Sequence, residues 1–321
     1  RIVGEGWHAR YGGPHAEPTA LLAAGPKARG ATAYVTLEPC CHAGKKTPPC
    51  VPALLRAGVR RVVVGTVDPH PRVRGRGLRK LRAAGVAVTT GVLEAECARL
   101  NRPFFIRLRK ARPYVILKAA ASLDGRIRTS AGQSKWITSA AARRDGHRLR
   151  AEVDAILVGI GTVLADDPAL TAHGAGRDPL RVVLDSRLRI PPAARVLEDA
   201  GAVVFTGLKD ARGPGPRRSL ALVRRVRRRG GGLDLREVLA ALGEMGVGSV
   251  LVEGGGAVHT AFLEAGLVDE LRLYLAARLL GGRSAPSFLE GRGFRLETAP
   301  ALRDVEVSRV GPDLKVSGYL A

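Results

Sequence analysis

The chain has 321 residues, 45% of them hydrophobic, and contains no apolar run of the length that crosses a bilayer. Because this length exceeds the size at which one hydrophobic core usually stops growing, we expect two domains and no membrane span. The net charge of +23 makes nucleic acid a partner to consider. The cations are scattered, however, with one dense run at Arg224 to Arg229, and few aromatic residues are available to stack on bases. This distribution favours a solvated surface and no nucleic-acid partner.

The four cysteines, at positions 40, 41, 50 and 97, are not distributed like a disulfide framework. Three of them lie in one short segment near a histidine, which indicates a metal site in a reducing, cytoplasmic compartment. The chain begins at Arg1 rather than Met, and residues 1–6 (RIVGEG) are typical of a strand. We therefore expect no signal peptide and a missing beginning.

Strand and helix patterns alternate along the first third of the chain. We expect helices over about 17–24, 51–57 and 78–84, and strands at the segments RIVGEG, TAYVTLE, RRVVVGTV and VAVTTGVL. Residues 97–110 are typical of a basic helix or connector, and Arg112-Pro113 breaks the pattern before a new strand. The predicted domains are therefore residues 1–110 and 111–321.

The second part alternates in the same way, and its near-continuous apolar strands indicate a sheet that is buried on both faces. We expect strands at YVILKAA, DAILVGIG, LRVVLD, AVVFTG, SVLVEGG and ELRLYLAA, with helices over about 140–151, 234–245 and 257–265 and a short one after Gly161. Residues 212–232 are rich in Gly, Pro and Arg, which predicts a mobile, solvated insertion. The apolar segment LRLYLAARLL suggests an exposed edge through which a homodimer forms.

The strongest chemical signal combines His15 and Glu17 at the start of one helix with Cys40 after a strand and Cys50 at the start of the next helix. A catalytic zinc takes three nitrogen or sulfur ligands and leaves a fourth position open to water, and His15, Cys40 and Cys50 supply that set. Glu17 is then free to move protons between the attacking water and the leaving ammonia. This pattern predicts hydrolytic deamination of an aminopyrimidine with one zinc ion per chain. The alternative is a closed, structural zinc site that also uses Cys41 or His42.

Two glycine-containing turns in the second part follow apolar strands. One is Gly159-Ile160-Gly161-Thr162, and the other is Gly254-Gly255-Gly256. Glycines let backbone amides approach a phosphate at the start of a helix, which favours an anionic cofactor. Neither turn matches the dinucleotide fingerprint G-x-G-x-x-G, and each alone is equally typical of a plain tight connection.

Taken together, the motifs resemble the bifunctional riboflavin-biosynthesis deaminase-reductase family over the whole chain. In the first part they are G-G-P-H-A-E, T-L-E-P-C-C-H, T-P-P-C, D-P-H-P-x-V-x-G-x-G and L-N-R-P-F. In the second part they are K-A-A-A-S-L-D-G-R, W-I-T, G-T-V-L-A-D-D-P and V-E-G-G-G. The resemblance implies a cytidine-deaminase-like α/β/α domain followed by a dihydrofolate-reductase-like α/β domain.

The resemblance also implies a reaction pair. A zinc-dependent deamination of the phosphoribosylaminopyrimidine would be followed by NADPH reduction of its ribose to ribitol. NADPH would contact Ala120, Trp136, Thr162, Asp166, Gly255, Gly256, Ala257, Val258, His259, Thr260 and Ala261. The substrates would contact Lys45, Lys46, Ser134, Arg150, Leu170, His173 and Glu253. The residues alone also allow structural roles. Trp136 is typical of a core side chain, and Asp166 is typical of a turn. Lys118 is equally typical of a lysine at the end of a strand that extends its charge to solvent.

Three departures from the family pattern bear on these assignments. Nine residues separate Cys40 from Cys50 where the family has eight, so either the loop bulges or Cys41 replaces Cys40 as the ligand; we favour the bulge. The helix and strand with which family members begin do not precede Arg1, and we expect their loss to damage the deaminase domain. His173 replaces an arginine that would bind the substrate phosphate, which weakens that contact unless Arg177 or Arg181 substitutes.

Two rival functions remain at this point. One is a reductase joined to a non-functional deaminase domain. The other is a nucleic-acid-binding zinc deaminase, which predicts salt-sensitive binding and leaves the second domain unexplained.

Overall fold

The chain folds into two units, Arg1–Lys110 and Ala111–Ala321. A computed structural model describes residues 1–9, 12–44, 47–209 and 221–320. Each unit has its own sheet, and the two are described separately below. No helix among these described residues is both long enough and apolar enough to span a bilayer.

The first unit is a three-stranded parallel sheet in the order β1-β2-β3. Its strands are β1 (Thr32–Leu37), β2 (Arg61–Thr66) and β3 (Ala87–Thr90). Its helices are α1 (Ala16–Ala24), α2 (Cys50–Arg56), α3 (Arg76–Ala83), α4 (Glu94–Leu100) and α5 (Arg102–Lys110). Valines of β2 pack against leucines of α2 and α3, such as Leu54 and Leu81. The core therefore lies between the sheet and these two helices, at the strand ends that lead into the predicted metal site.

The strand predicted at residues 1–6 is wrong, because these residues form no strand. The segment instead runs along α1. A Cβ atom on Gly4 would overlap the Ala20 carbonyl oxygen, and one on Gly6 would lie 2.5 Å from the Ala20 amide nitrogen. The two glycines thus allow a close contact with a helix, and the β-branched pattern of Ile2 and Val3 is not used in a sheet among the described residues.

The second unit is a nine-stranded sheet in the order β13-β14-β12-β4-β11-β5-β6-β7-β8. Its first strands are β4 (Tyr114–Ser122), β5 (Ala155–Gly159), β6 (Leu180–Leu184), β7 (Ala202–Thr206) and β8 (Leu222–Arg225). The two-residue strands β9 (Arg228–Arg229) and β10 (Gly232–Leu233) form a separate ribbon. The remaining strands are β11 (Ser249–Val252), β12 (Glu270–Ala276), β13 (Leu302–Val310) and β14 (Asp313–Leu320).

Helices cover both faces of this sheet, as the apolar strands predict. They are α6 (Ala140–Glu152), α7 (Ile160–Asp166), α8 (Leu235–Glu244) and α9 (Gly256–Glu264). In β7, Val203 and Phe205 belong to the core cluster on one face, and Ala202 and Val204 to the cluster on the other. Alternate residues therefore serve different cores, which requires every position of the strand to be apolar.

Three features of the second unit differ from the sequence-based expectations. Part of the predicted mobile insertion is ordered, since β8 pairs with β7 in parallel, whereas residues 210–220 lie outside the described residues. Strand β12 lies between β4 and β14 inside the sheet, so the expected exposed edge at LRLYLAA is wrong. The C-terminal hairpin of β13 and β14 was not predicted, although Val305 and Val307 alternate with charged residues before a Gly-Pro-Asp turn.

Candidate functional site

Three predicted metal ligands converge in the first unit. His15 is the residue before α1, Cys40 follows β1, and Cys50 is the first residue of α2. Their ligand atoms all lie within 4.8 Å of one another. The His15 Nδ1 atom is 3.6 Å from the Cys40 Sγ and 3.4 Å from the Cys50 Sγ, and the two Sγ atoms are 3.4 Å apart. Two helix starts and one strand end thus bring one nitrogen and two sulfur atoms together, which is the donor set that zinc prefers.

Neighbouring hydrogen bonds fix the orientation of these ligands. The Thr47 Oγ1 lies 3.1 Å from the His15 Nε2, so the outer nitrogen of the ring has a partner while Nδ1 faces the sulfurs. The backbone N–H of Cys50 donates to the Cys40 Sγ at 3.3 Å. Such outer contacts are typical of metal sites, because they fix the imidazole tautomer and favour the thiolate form.

The chemistry of the two thiols also fits a cation. The hydrogen bond to Cys40, together with burial, raises the pKa of the Cys50 thiol well above its usual range. Two adjacent buried sulfurs therefore do not both ionise by themselves, and a divalent cation is the partner that would compensate two thiolates. The residues present fit a zinc ion.

Cys41 points away from this cluster. It is buried with Val51 and Leu54 in the core of the first unit, and its Sγ lies 4.0 Å from the Arg72 carbonyl oxygen. Burial raises the pKa of its thiol. Of the two adjacent cysteines, the structure therefore groups Cys40 with His15 and Cys50, and the longer loop does not exchange them.

Glu17 lies beside the cluster as the second residue of α1 and is half-buried. Burial raises the pKa of its carboxyl group, while hydrogen bonds to its own backbone and to Cys50 lower it. The carboxyl group is thus within hydrogen-bond reach of a candidate ligand without being one of the three converging groups. Lys45 and Lys46, predicted to contact the substrate, lie outside the described residues.

Glu38 is a functional-site residue that the sequence analysis missed. Its carboxylate is buried and accepts backbone N–H groups of Gly75 at 2.9 Å, Gly77 at 2.9 Å and Asp68 at 3.4 Å. These amides belong to the D-P-H-P-x-V-x-G-x-G segment. The signal available in the sequence was a carboxylate directly before Pro39 and Cys40, in an otherwise apolar strand end. Glu38 holds this loop against the strand that delivers Cys40.

The second unit contains a buried ion network at Glu253, which follows β11. The side chain of Glu253 is 8% exposed and receives Arg150 Nε at 2.9 Å and Lys118 Nζ at 3.2 Å. Burial alone would raise the pKa of Glu253, but Arg150 and Lys118 hold it well below the usual range. Lys118 is therefore part of a polar centre, and Arg150 and Glu253, both predicted to bind substrate, are in direct contact.

Two histidines stack next to this network. The rings of His147 and His173 are 4.3 Å apart between centroids. Burial, the neighbouring His173 and Arg150 lower the pKa of His147 to about 4, and burial and Arg150 also lower the pKa of His173. His147 was not predicted, because its only sequence signal is a position three residues before Arg150 on one helix.

The two arginines named as possible substitutes for the arginine replaced by His173 each pair with a carboxylate. Arg177 pairs with Asp154 at 3.2 Å. Arg181 is buried and forms an ion pair with Asp199. Both side chains thus have acidic partners in this structure, and substitution by either arginine at the substrate phosphate stays a prediction.

The two glycine turns lie side by side at one edge of the sheet. They follow β5 and β11, which are adjacent parallel strands. A Cβ atom on Gly159 would lie 2.8 Å from a methyl group of Val258, and one on Gly254 would lie 2.7 Å from the Val258 Cβ. Both positions therefore require glycine, because α9 packs directly on them. Ligands of open α/β sheets bind at this carboxyl edge.

The other residues predicted to bind the cofactor or substrate occupy varied surroundings. The Ser134 hydroxyl donates to Asp166 at 2.9 Å. Trp136 is 64% exposed, with the Arg143 guanidinium 4.3 Å from its ring, so it is not a core residue. Ala120 and Thr162 are half-buried, and Leu170 is buried.

Within the predicted cofactor turn from Gly255 to Ala261, the residues divide into two groups. His259 and Thr260 are buried and bond to the backbone of Phe288 and Glu290, which anchors the segment before β13. Ala257 and Ala261 are exposed. Burial lowers the pKa of His259 to about 4, so this histidine is neutral in its packed position.

Family models match both parts of the chain. Residues 1–66 match the cytidine and deoxycytidylate deaminase zinc-binding region, and residues 113–316 match the RibD C-terminal domain. Among curated proteins, the chain is 44% identical over 322 residues to the riboflavin biosynthesis protein RibD of Bacillus amyloliquefaciens, covering 99% of this chain and 86% of that protein. It is 43% identical to the Escherichia coli protein of the same name, covering 98% of this chain and 88% of that protein.

Solved structures give the same result. The RibD of Acinetobacter baumannii superposes with a TM-score of 0.86 at 36% identity, covering 100% of this chain and 89% of that one. A Thermotoga maritima structure, named as a diaminohydroxyphosphoribosylaminopyrimidine deaminase and 5-amino-6-(5-phosphoribosylamino)uracil reductase, superposes with a TM-score of 0.85 at 36% identity over the same coverage. The riboflavin biosynthesis reductase Rib7 of Saccharomyces shares the fold of the second part, with a TM-score of 0.53 at 22% identity. The predicted fold class is confirmed, and the chain belongs to the RibD family of bifunctional riboflavin biosynthesis proteins.

Proposed function

We propose that the first unit hydrolytically deaminates 2,5-diamino-6-(5-phosphoribosylamino)pyrimidin-4-one, and that the second unit reduces the ribosyl group of the resulting aminouracil to ribityl with NADPH. As a RibD-family protein the chain is a deaminase and a reductase of riboflavin biosynthesis. The substrate identities follow the name carried by the Thermotoga maritima relative. The observation that carries the deaminase proposal is the convergence of His15, Cys40 and Cys50 beside Glu17.

In the first unit, His15 Nδ1 and the sulfurs of Cys40 and Cys50 would hold zinc, and three protein ligands leave one position for water. A bound zinc supplies a Lewis acid that lets water act as a nucleophile near neutral pH. Glu17 takes the proton that water loses and delivers it to the departing amino group, so that ammonia leaves as a neutral molecule. The hydrogen bond between Glu17 and Cys50 supports this role, because it orients the carboxyl group toward the cluster. Substrate contact by Lys45 or Lys46 stays a prediction.

In the second unit, the residues bind the cofactor and the substrate and orient them toward each other. We assign the NADPH site to the glycine turns after β5 and β11, with Ala120, Trp136, Thr162 and Asp166. We assign the substrate to Ser134, Arg150, Leu170, His173 and Glu253. NADPH supplies the hydride, and the chain holds the sugar against the nicotinamide. Support comes from the exposed Trp136 ring and from the Glu253 network.

Replacement of Glu17 by Gln tests the deaminase assignment. Glutamine keeps the shape but cannot carry a proton, so we expect ammonia release to fall about 100- to 10,000-fold. Zinc content and NADPH oxidation with the aminouracil stay at the level of the unaltered chain. Glu5→Gln, at an exposed position of the same unit, is the matched control. Full ammonia release by the Glu17 variant would contradict the assignment.

Neither rival function is favoured. Both family models match, and the similarity to RibD proteins spans both parts of the chain, so a reductase alone accounts for less of the chain than the bifunctional reading. Nothing in the comparisons points to a nucleic-acid partner. A small-molecule substrate fits an enzyme of this family.

We also propose a homodimer and a cytoplasmic location. Strand β13 lies at the edge of the nine-stranded sheet and exposes Val305 and Val307, which a second copy would cover. A monomer in light scattering would contradict the dimer. The cysteines are free thiols, and a reducing compartment keeps Cys40 and Cys50 from forming a disulfide.

A further inference from the structure

Lys118 of β4 lies between a carboxylate and an aromatic ring. On the side of β11, its Nζ atom is 3.2 Å from the Glu253 Oε2. On the side of β12, the same Nζ atom lies over the Tyr274 ring, 5.7 Å from its centroid. The sheet order β12-β4-β11 produces this arrangement, because the three strands are adjacent and parallel. Tyr274 therefore stands across Lys118 from the buried ion network.

Tyr274 offers the lysine a fixed ring. The residue is 1% exposed, and its hydroxyl donates to the Asp145 Oδ2 at 2.7 Å. Burial and this hydrogen bond raise the pKa of the Tyr274 hydroxyl above its usual range, so the proton stays on the phenol. A cation within about 6 Å of such a ring centroid is attracted to the ring, and the attraction is stronger where water is excluded.

Asp145 is itself held as a carboxylate. The Lys315 Nζ donates to its Oδ2 at 2.8 Å, and an Arg148 nitrogen lies 3.8 Å from its Oδ1. Burial would raise the pKa of Asp145, but the hydrogen bonds from Lys315 and Tyr274 lower it. The Lys315 ammonium also lies 5.8 Å from the centroid of the Tyr274 ring. The hydroxyl of Tyr274 therefore meets a charged acceptor, which makes a stronger hydrogen bond than a neutral one.

One helix serves both sides of Lys118. Helix α6 supplies Asp145 to the phenol. It also supplies Arg150 to the ion network, with the Arg150 Nη2 at 2.9 Å from the Glu253 Oε2. Between these two contacts, a Cβ atom on Gly146 would lie 3.7 Å from both the Cε and the Nζ of Lys118, so the lysine lies directly against the helix. The helix, the ring and the carboxylate together confine the ammonium group.

We propose that Tyr274 and Asp145 are positioning residues for the reduction. They hold the Lys118 ammonium at Glu253, so that lysine and carboxylate present one fixed arrangement to the aminouracil. The inference deepens the proposed function of the second unit and rests on it. Tyr274 acts through the lysine, and Asp145 acts through Tyr274.

The test changes the ring, the hydroxyl and the carboxylate separately on the full chain. Tyr274→Leu removes the ring, Tyr274→Phe removes only the hydroxyl, and Asp145→Asn removes the charge that the hydroxyl meets. With saturating NADPH, we expect KM for the aminouracil to rise about 5- to 30-fold in the leucine variant and about two- to fivefold in the other two. KM for NADPH stays unchanged and kcat changes less, because the lost interaction serves binding of the aminouracil.

Two variants are matched controls. Arg148→Ala removes an exposed partner of Asp145 on the same helix, and Leu242→Ala opens a cavity in the core beside α8. The second lowers the free energy of unfolding, as loss of the buried Tyr274 ring also does, which urea unfolding measures. We expect both controls to keep KM for the aminouracil within about twofold of the unaltered chain.

A double-mutant cycle with Lys118→Met shows whether the ring acts through the lysine. Methionine keeps the length of the side chain without its charge. Calorimetry of the full chain with the aminouracil, in the absence of NADPH, measures binding without turnover. We expect Tyr274→Leu to weaken binding when Lys118 is present and to add nothing beside Lys118→Met, because no ammonium is left to position.

The outcomes separate this inference from the function on which it rests. An equal effect of Tyr274→Leu in both backgrounds makes the ring merely structural and overturns the inference alone. An unchanged KM for the aminouracil in folded Tyr274→Leu and Tyr274→Phe proteins does the same. An unaltered chain that does not oxidise NADPH with the aminouracil overturns the proposed reductase substrate and this inference with it.

Discussion

Two adjacent cysteines, Cys40 and Cys41, show how strongly the function of one residue depends on where its side chain points. Cys40 faces His15 and Cys50 across distances of 3.4 to 3.6 Å, whereas Cys41 packs among core valines and leucines. Residue type and spacing identified the group of candidate ligands. They did not separate the two thiols, because the choice depends on the direction in which the chain leaves β1.

Serine replacements distinguish the two cysteines experimentally. Cys40→Ser removes a soft ligand, so we expect zinc content to fall well below one ion per chain. Cys41→Ser keeps the zinc but places a hydroxyl group in an apolar core, which lowers the free energy of unfolding by about 1–2 kcal/mol. Metal analysis and urea unfolding of both variants check this. If the Cys41 variant lost zinc and the Cys40 variant kept it, the assignment of Cys40 as the ligand would be contradicted.

We expect His173 to make binding of the substrate phosphate depend on pH. Burial and Arg150 lower its pKa, so the imidazole is neutral at neutral pH and must take up a proton to pair with a dianion. The charged form is favoured only as pH falls below the usual imidazole pKa of about 6.5. We therefore expect KM for the aminouracil to be lower at about pH 5.5 than at pH 8, with the change confined to the acidic part of this range. His147, with its pKa lowered to about 4, is neutral over this range and does not contribute to the change.

The control for this pH dependence is His173→Arg. Arginine keeps its charge over the whole range, so KM in this variant stays nearly flat with pH and is several-fold lower than in the unaltered chain at pH 8. Steady-state kinetics at four or five pH values give the comparison. Equal pH profiles for both proteins would show that His173 does not face the phosphate.

At the scale of elements, strands with many apolar residues were predictable and strands at sheet edges were not. β5 and β7 are buried on both faces, and their continuous apolar sequences predict such strands directly. β8 and β13 are edge strands with exposed, charged side chains, and only their pairing with a neighbour makes them strands. The opposite error occurred at residues 1–6, whose β-branched pattern finds no partner strand among the described residues. Pairing is a tertiary property that a local pattern does not contain.

The loop held by Glu38 depends on one glycine at the start of α3. A Cβ atom on Gly77 would overlap the Pro39 carbonyl oxygen and lie 3.1 Å from the Glu38 Oε1. In most helices Gly→Ala stabilises. Here we expect Gly77→Ala to lower the free energy of unfolding by about 2 kcal/mol or more, because the loop must move away from Glu38.

Gly85→Ala is the matched control for this element. Gly85 follows α3 with φ +82°, and nothing lies within 4 Å of a Cβ atom there. Its replacement costs only the strain of the left-handed conformation, about 1–2 kcal/mol, and leaves zinc content unchanged. Urea unfolding and metal analysis compare the two variants. A stable, zinc-loaded Gly77→Ala protein would contradict the tight packing at Pro39.

At the scale of the whole molecule, two chemistries are carried by two separately folded units of one chain. The first unit concentrates thiols, imidazole and carboxylate at helix starts, and the second concentrates glycine turns and a buried ion network at strand ends. The net charge of +23 comes from cations scattered along the chain and does not by itself identify a partner. The identity of each reaction lies in these local groups rather than in overall composition.

The central claim, that one chain performs both reactions, is tested most directly by supplying the diaminopyrimidine and NADPH together. Ammonia release and NADPH oxidation are then followed on the same zinc-loaded sample. The account predicts both, with one NADPH oxidised for each ammonia released, because deamination produces the molecule that is reduced. NADPH oxidation only when the aminouracil itself is added, with no ammonia from the diaminopyrimidine, would contradict it.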